Sequence, residues 1–377
     1  MSILFTPITM RGLTLPNRIV VAPMCQYSAV DGSATDWHII HLGHLAISGA
    51  GLLILEATGV EPQGRITSDC LGLYSDDNET ELERVLAIVR RYTTTPIGIQ
   101  LSHAGRKASS KRPSAPGPVD TRAWQTVGPS AVAFSEDRQQ PVALDRAGMD
   151  RVIEAFAQAT RRADRLGLDM VEIHSAHGYL LSSFLSPIAN HRTDSYGGSL
   201  ENRMRFPLEV FEAVRAAWPV ERPLGVRCNG TDWHVEGITP DEAVAYAKAL
   251  RERGCDYVDV STGGNAVTEI PMEPGYQVPF AARVRNEAGI LTRAVGLIHD
   301  PHHAEAILRE GKADMIALGR GILNDARWPW HAAEELGAVV NIPYQYRRAG
   351  TRAGLPTRDH IPVPPGSAGA SAMAHAG

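Results

Sequence analysis

Eight short apolar segments recur along this chain with amphipathic stretches between them, and that alternation limits the fold more than any other feature. The segments are RIVVAPM (18–24), GLLILEA (51–57), PIGIQLS (96–102), DMVEIHS (169–175), PLGVRCN (223–229), DYVDVST (256–262), LTRAVG (291–296) and ADMIALG (313–319). Near-continuous runs of Val, Ile and Leu suit strands covered on both faces, as parallel strands are. The stretches between them carry helix signals. DDNETELERVLAIVRRY places acids early and arginines late, matching the helix dipole. AGMDRVIEAFAQATRRADRLG sets Val152, Phe156 and Ala159 on one stripe and ends at Gly167. TPDEAVAYAKALRERG opens with Thr239 as cap, Pro240 first and Glu242 third, then closes on Gly254. Eight strand–helix pairs in 377 residues predict a (β/α)8 TIM barrel.

One barrel domain is expected over residues 1–350. Residues 103–147, rich in Pro, Ser and Gly, are expected to run over the barrel mouth after the third strand. Residues 351–377 are dominated by Gly, Pro, Ala and Ser and are expected to form a flexible tail. At 44% hydrophobic and 21% charged, the chain has the composition of a soluble globular protein. A formal charge of −5 argues against nucleic acid as a partner. No apolar run approaches the ~18 residues of a membrane span, and no signal-peptide pattern is present. The cysteines Cys25, Cys70, Cys228 and Cys255 are scattered without a CxxC pair. Neither a disulfide framework nor a cysteine-rich metal centre is expected, and the cytoplasm is the expected compartment.

Barrel enzymes work at the C-terminal ends of their strands. That rule gathers Pro23, Met24 and Cys25, Ala57, Gln100, His174 and His177, Arg227, Gly296, Gly319 and Arg320. The GRGIL turn at 319–323 suits an anion, because glycine admits a phosphate to the backbone and arginine can clamp it. His174 and His177 in EIHSAHGYLL admit three readings: metal ligands, a hydrogen-bonded pair, or two donors aimed at one substrate oxygen. Spacing alone leaves all three open. His38, His41 and His44 share one helical face with no acid at ligand spacing, so packing or surface roles are expected. Cys25, Tyr27 and Tyr179 read locally as packing residues, and HRTDSYGGSLENR as a loop capped by Ser199.

In order and spacing, APMCQYS, EATGVEPQGRIT, QLSHAGRK, EIHSAHGYLLSSFLSPIANHRTDSYGGSLENR, VRCNGTDW and ADMIALGRGIL resemble the old yellow enzyme family, in its bacterial ene-reductase branch. The resemblance covers roughly residues 3–348. It implies a barrel holding non-covalent FMN, which passes hydride from NADPH or NADH to small activated alkenes. Ala22, Pro23, Met24, Cys25, Ala57, Gln100 and Arg227 would then border the flavin ring, with Gly296, Gly319 and Arg320 at its phosphate. His174 and His177 would bind the substrate carbonyl, Tyr179 would donate the proton, Tyr27 would contact the same oxygen, and Lys107 would edge the pocket. It also implies a homodimer or dimer-based tetramer with shared active sites. Arg348 would reach the neighbouring pocket, with Tyr346 nearby and Arg347 as the alternative. A metal-dependent barrel hydrolase and a non-catalytic flavin-binding protein are the competing readings.

Overall fold

In the computed structural model, residues 1–113, 123–346 and 348 are described. All eight apolar segments become parallel strands, closed into a barrel in sequential order. They are β1 (Ile19–Val21), β2 (Leu52–Gly59), β3 (Ile97–Ser102), β4 (Met170–Ser175), β5 (Leu224–Asn229), β6 (Tyr257–Ser261), β7 (Leu291–Ala294) and β8 (Met315–Leu318). Strand β8 pairs back onto β1 through Ile316 and Ile19. The outer ring is α1 (Asp36–Ala46), α2 (Asp76–Val89), α3 (Arg146–Arg165), α4 (Leu180–Leu185), α5 (Leu200–Ala217), α6 (Pro240–Glu252), α7 (Val278–Ala288), α8 (Pro301–Arg309), α9 (Arg320–Asn324) and α10 (Trp328–Glu335).

The helix ends form where the sequence signals place them. Thr239 Oγ1 accepts from the Glu242 N–H at 3.3 Å while the Glu242 carboxylate accepts from the Thr239 N–H at 3.0 Å, a reciprocal capping box opening α6. Helix α3 begins one residue before the apolar stripe suggests, because Asp145 caps it by accepting from the Gly148 N–H at 2.7 Å. Its stripe of Val152, Phe156 and Ala159 is buried against the barrel.

Two features lie outside the strand–helix alternation. A hairpin of Ile8–Met10 with Leu13–Leu15 precedes β1. Its Ile8, Met10 and Leu15 pack with Val20, Leu52, Ile54, Met170 and Met315. At three residues each, its strands are too short to show a period. The barrel interior is also charged. Arg293 on β7 is fully buried and paired with Glu172 on β4 and Asp259 on β6. Glu172 further accepts from Gln100 Nε2 at 2.7 Å and from the Tyr257 hydroxyl at 2.8 Å. A buried arginine is tolerable only when carboxylates pair with it, and two do.

The excursion after β3 starts with a single turn at Gly105–Lys107 and carries a two-residue strand pair, Val127–Gly128 with Val142–Ala143. Residues 114–122, Arg347 and the expected tail 351–377 lie outside the described residues. Among the described residues no helix is long and apolar enough to cross a membrane.

Candidate active site

Strand β4 delivers its side chains in alternation, so Glu172 points into the barrel and His174, two residues on, sits above it at the mouth. The chain then turns sharply. His177 and Gly178 both adopt left-handed backbone, with φ of 61° and 71°. A side chain on Gly178 would place its Cβ 2.0 Å from the Gly264 carbonyl oxygen, so this turn lies backbone-to-backbone against the loop after β6. Asn229 at the end of β5 fastens the two. Its Oδ1 accepts from the His177 N–H at 3.0 Å, and its Nδ2 donates to Gly263 O at 2.8 Å and Asp232 Oδ1 at 2.8 Å. Holding a non-glycine residue in this conformation costs of order 1–3 kcal/mol, which is seen where surrounding structure imposes it at functional sites.

The imposed turn brings three side chains together. The His174 and His177 rings meet edge-on with centroids 5.1 Å apart, and the Tyr179 ring lies 4.8 Å from that of His174. His174 Nε2 and His177 Nδ1 face one another at 3.3 Å. Burial, with the charges of Arg227 and Lys107, lowers both histidines well below their ordinary range, so both rings are neutral at pH 7. Burial raises Tyr179 well above its ordinary value and keeps its proton in place. Among the described residues no group of three His, Cys, Asp or Glu side chains is arranged to hold a metal ion. The hydrolase reading is left without a ligand set there.

A cavity of about 870 Å³ opens beside this cluster. Ala22, Pro23, Met24, His177, Arg227, Gly296, Gly319 and Arg320 line it, all expected site residues, together with Ser261, Gln277 and His299, which were not. Its size and mixed lining fit a ring cofactor with a charged tail. A Cβ on Gly319 would meet nothing nearer than Met24 Sδ at 3.8 Å, so the space before that turn is open. Two buried polar atoms on this wall await a partner, Gln277 Oε1 and Arg227 Nε. Arg227 Nε stands 3.0 Å from Asp259 Oδ1, an ion pair too far out of line to be a hydrogen bond.

The remaining expected residues occupy the flanks. Gln100 and Ala57 are cross-strand neighbours. The register shift between Leu55 and Ala57 makes Glu56 the bulged residue, and its carboxylate accepts from the Gln26 N–H at 3.1 Å and sits 3.3 Å from His38 Nε2. An acid therefore does reach one of the α1 histidines, His38, from strand β2. They remain a packing cluster: burial, with His44 and His38 beside it, lowers His41 to about 4. The scattered cysteines likewise include one pair in space. The Cys70 thiol lies near enough to Cys25 that, with burial, it raises Cys25 well above its ordinary value. Lys107 lies behind the pocket wall, donating to His177 O at 2.7 Å and Gly264 O at 3.0 Å, with its ammonium 4.4 Å from the Phe134 ring centroid. Arg348 lies on the surface beyond the Tyr344–Tyr346 turn, outside the cavity lining.

Residues 3–338 match the model of the NADH:flavin oxidoreductase / NADH oxidase family. The chain belongs to that family. Its members include relatives named NADPH dehydrogenase; the one from Geobacillus thermodenitrificans is 46% identical over 349 residues, covering 92% of this chain and 98% of its own. Among solved structures, morphinone reductase superposes with a TM-score of 0.74 at 31% identity, covering 90% of this chain and 91% of its own. The old yellow enzyme homologue from Zymomonas mobilis also gives 0.74, at 26% identity, over 90% of this chain and 94% of its own. The old yellow enzyme resemblance read from the motifs therefore holds, and the chain is an NAD(P)H-dependent flavin oxidoreductase.

Proposed function

We propose that the chain is an FMN-dependent ene-reductase, taking hydride from NADPH or NADH and delivering it to the C=C bond of α,β-unsaturated carbonyl compounds. One observation carries this reading above all. His174 Nε2 and His177 Nδ1 converge to within 3.3 Å of each other beside an open cavity, and both rings are neutral. Two neutral imidazoles converging in this way suit a carbonyl oxygen that gains negative charge as its alkene is reduced.

The cavity residues fit FMN. Arg320 and the open space at Gly319 would hold the phosphate, with Gly296 beside it packed against Gln277; Arg227 would meet a polar edge of the ring and Met24 its margin, with Gln100 and Cys25 behind the cavity lining. Bound there, the flavin supplies hydride transfer. The chain's own groups supply the rest. His174 and His177 bind and polarise the substrate oxygen. Tyr179, kept protonated by burial, holds the proton for the α-carbon, and Tyr27, close enough to influence the charge on Tyr179, would contact the same substrate oxygen. His174→Ala, measured in the isolated alkene half-reaction by rapid mixing, is expected to slow that step about 10²- to 10³-fold. An unchanged rate would remove the oxygen-binding role and with it this reading. We further propose a homodimer or dimer-based tetramer in which Arg348 of each subunit completes its neighbour's pocket.

A further inference from the structure

Two donors can serve one oxygen only if each facing nitrogen carries its hydrogen, and a neutral imidazole has just one hydrogen to place. For His174 the backbone decides. Its Nδ1 accepts from the Ala176 N–H at 3.2 Å, which leaves the hydrogen on Nε2, the atom facing His177.

For His177 the decision falls to a residue 84 positions away. Its Nε2 lies 2.7 Å from the Ser261 hydroxyl at the end of β6. Ser261 is 2% exposed, and His177 Nε2 is the sole hydrogen-bond partner of its side chain among the described residues. A buried hydroxyl satisfies its hydrogen by donating, and here one acceptor is at hand. Donation to Nε2 forces the His177 hydrogen onto Nδ1. With both facing nitrogens protonated, the 3.3 Å His174–His177 hydrogen bond has no acceptor left and gives way to an incoming oxygen, which can accept from both.

We propose that Ser261 is a positioning residue for the reduction: its hydroxyl selects the His177 tautomer that makes the second oxygen-binding donor. The inference rests on the oxygen-binding role proposed for the histidine pair. Ser261 need touch neither the reacting carbon nor the transferred proton. If its hydroxyl is removed, His177 can keep its hydrogen on Nε2 and accept from His174 at Nδ1, and one donor to the substrate disappears.

The test uses the flavin-loaded, oxidised enzyme and p-nitrophenol, whose phenolate oxygen is an anionic probe for the paired donors. In protein labelled with ¹⁵N-histidine, long-range ¹⁵N–¹H correlation should show the His177 hydrogen on Nδ1 with the probe bound. Ser261→Ala should move that hydrogen to Nε2 and weaken p-nitrophenolate binding about 10- to 100-fold, as loss of one hydrogen bond to a charged group does. It should also raise the pKa of the bound phenol, and Ser261→Thr should restore all three readouts. Wild-type His177 carrying its hydrogen on Nε2 in the complex would overturn the proposal without recourse to any variant. So would Ser261→Ala binding the probe within twofold of wild type. Probe affinity unaffected by His174→Ala would instead reject the oxygen-binding role itself, and the tautomer proposal with it.

Discussion

At the level of single residues, the site is defined by which groups keep their protons. His174 and His177 sit well below their usual range because burial, Arg227 and Lys107 all disfavour a positive ring, and burial holds Tyr179 well above its own. None of the three changes state near neutrality. The alkene half-reaction should therefore be level from about pH 6 to 7, without the limb a free histidine gives. A step near pH 8 is expected from Lys107, which burial and the charges of Arg106 and Arg138 lower to about 8, and Lys107→Met should abolish it. A limb near pH 6.5 that survives in Lys107→Met would show a titrating histidine. Tyr179→Phe should leave flavin reduction by NADPH intact and slow alkene reduction about 10²- to 10⁴-fold. Equal slowing of both half-reactions would reject its specific role. The sequence shows His174, His177 and Tyr179 as a cluster because they lie within six positions at one strand end, but their roles came from the family resemblance, since spacing left the histidines open and Tyr179 read locally as packing. Ser261 and Asn229 were not legible at all, since their partners come from other strands and nothing in VSTGG or RCNGT distinguishes a positioning side chain from a turn residue.

At the level of elements, the strands and the capped helices followed from local rules that the closed barrel reinforces. What escaped was contact across elements. Arg293 sits mid-strand in an apolar segment, and only ring closure shows that Glu172 and Asp259 reach it from β4 and β6. The Glu56 bulge is a register shift against β3, which neither strand encodes alone. The turn after β4 gives a direct test. Gly178→Ala would set a Cβ 2.0 Å from Gly264 O in left-handed backbone, so it should cost about 2–4 kcal/mol and abolish p-nitrophenolate binding. Urea unfolding with probe titration measures both, and a stable variant with normal binding would contradict the packing described. Glu61 links the loop after β2 to α3. Its carboxylate is buried, yet a hydrogen bond with His103 and an ion pair with Arg151 bring it down to about 2. A lowered carboxylate stabilises the fold above its ordinary value of 4.5, and that contribution fades as pH falls towards 2. Glu61→Gln should lose about 3 kcal/mol at pH 7 and progressively less below pH 4.5. A penalty that stays constant down to pH 3 would point to packing instead.

Across the whole molecule, one closed barrel gathers groups from the ends of β1 and of β4 to β8 around a cavity. Near the chain's end, Arg327 lies 4.5 Å from the Trp330 ring centroid and 5.1 Å from that of Tyr346, which pins the segment leading to Arg348. Mixing Arg348→Ala subunits with Tyr179→Phe subunits should restore activity if pockets are shared across a two-fold axis, since one pocket of each mixed dimer would carry no lesion. A fully active Arg348→Ala enzyme would contradict sharing. The proposed chemistry as a whole is tested most directly by one anaerobic absorbance titration of the purified protein. A yellow protein whose flavin bands bleach on addition of NADPH, and return in full on addition of 2-cyclohexen-1-one with formation of cyclohexanone, is the expected result. A protein that stays reduced in the presence of the enone, or that contains no flavin, would contradict it.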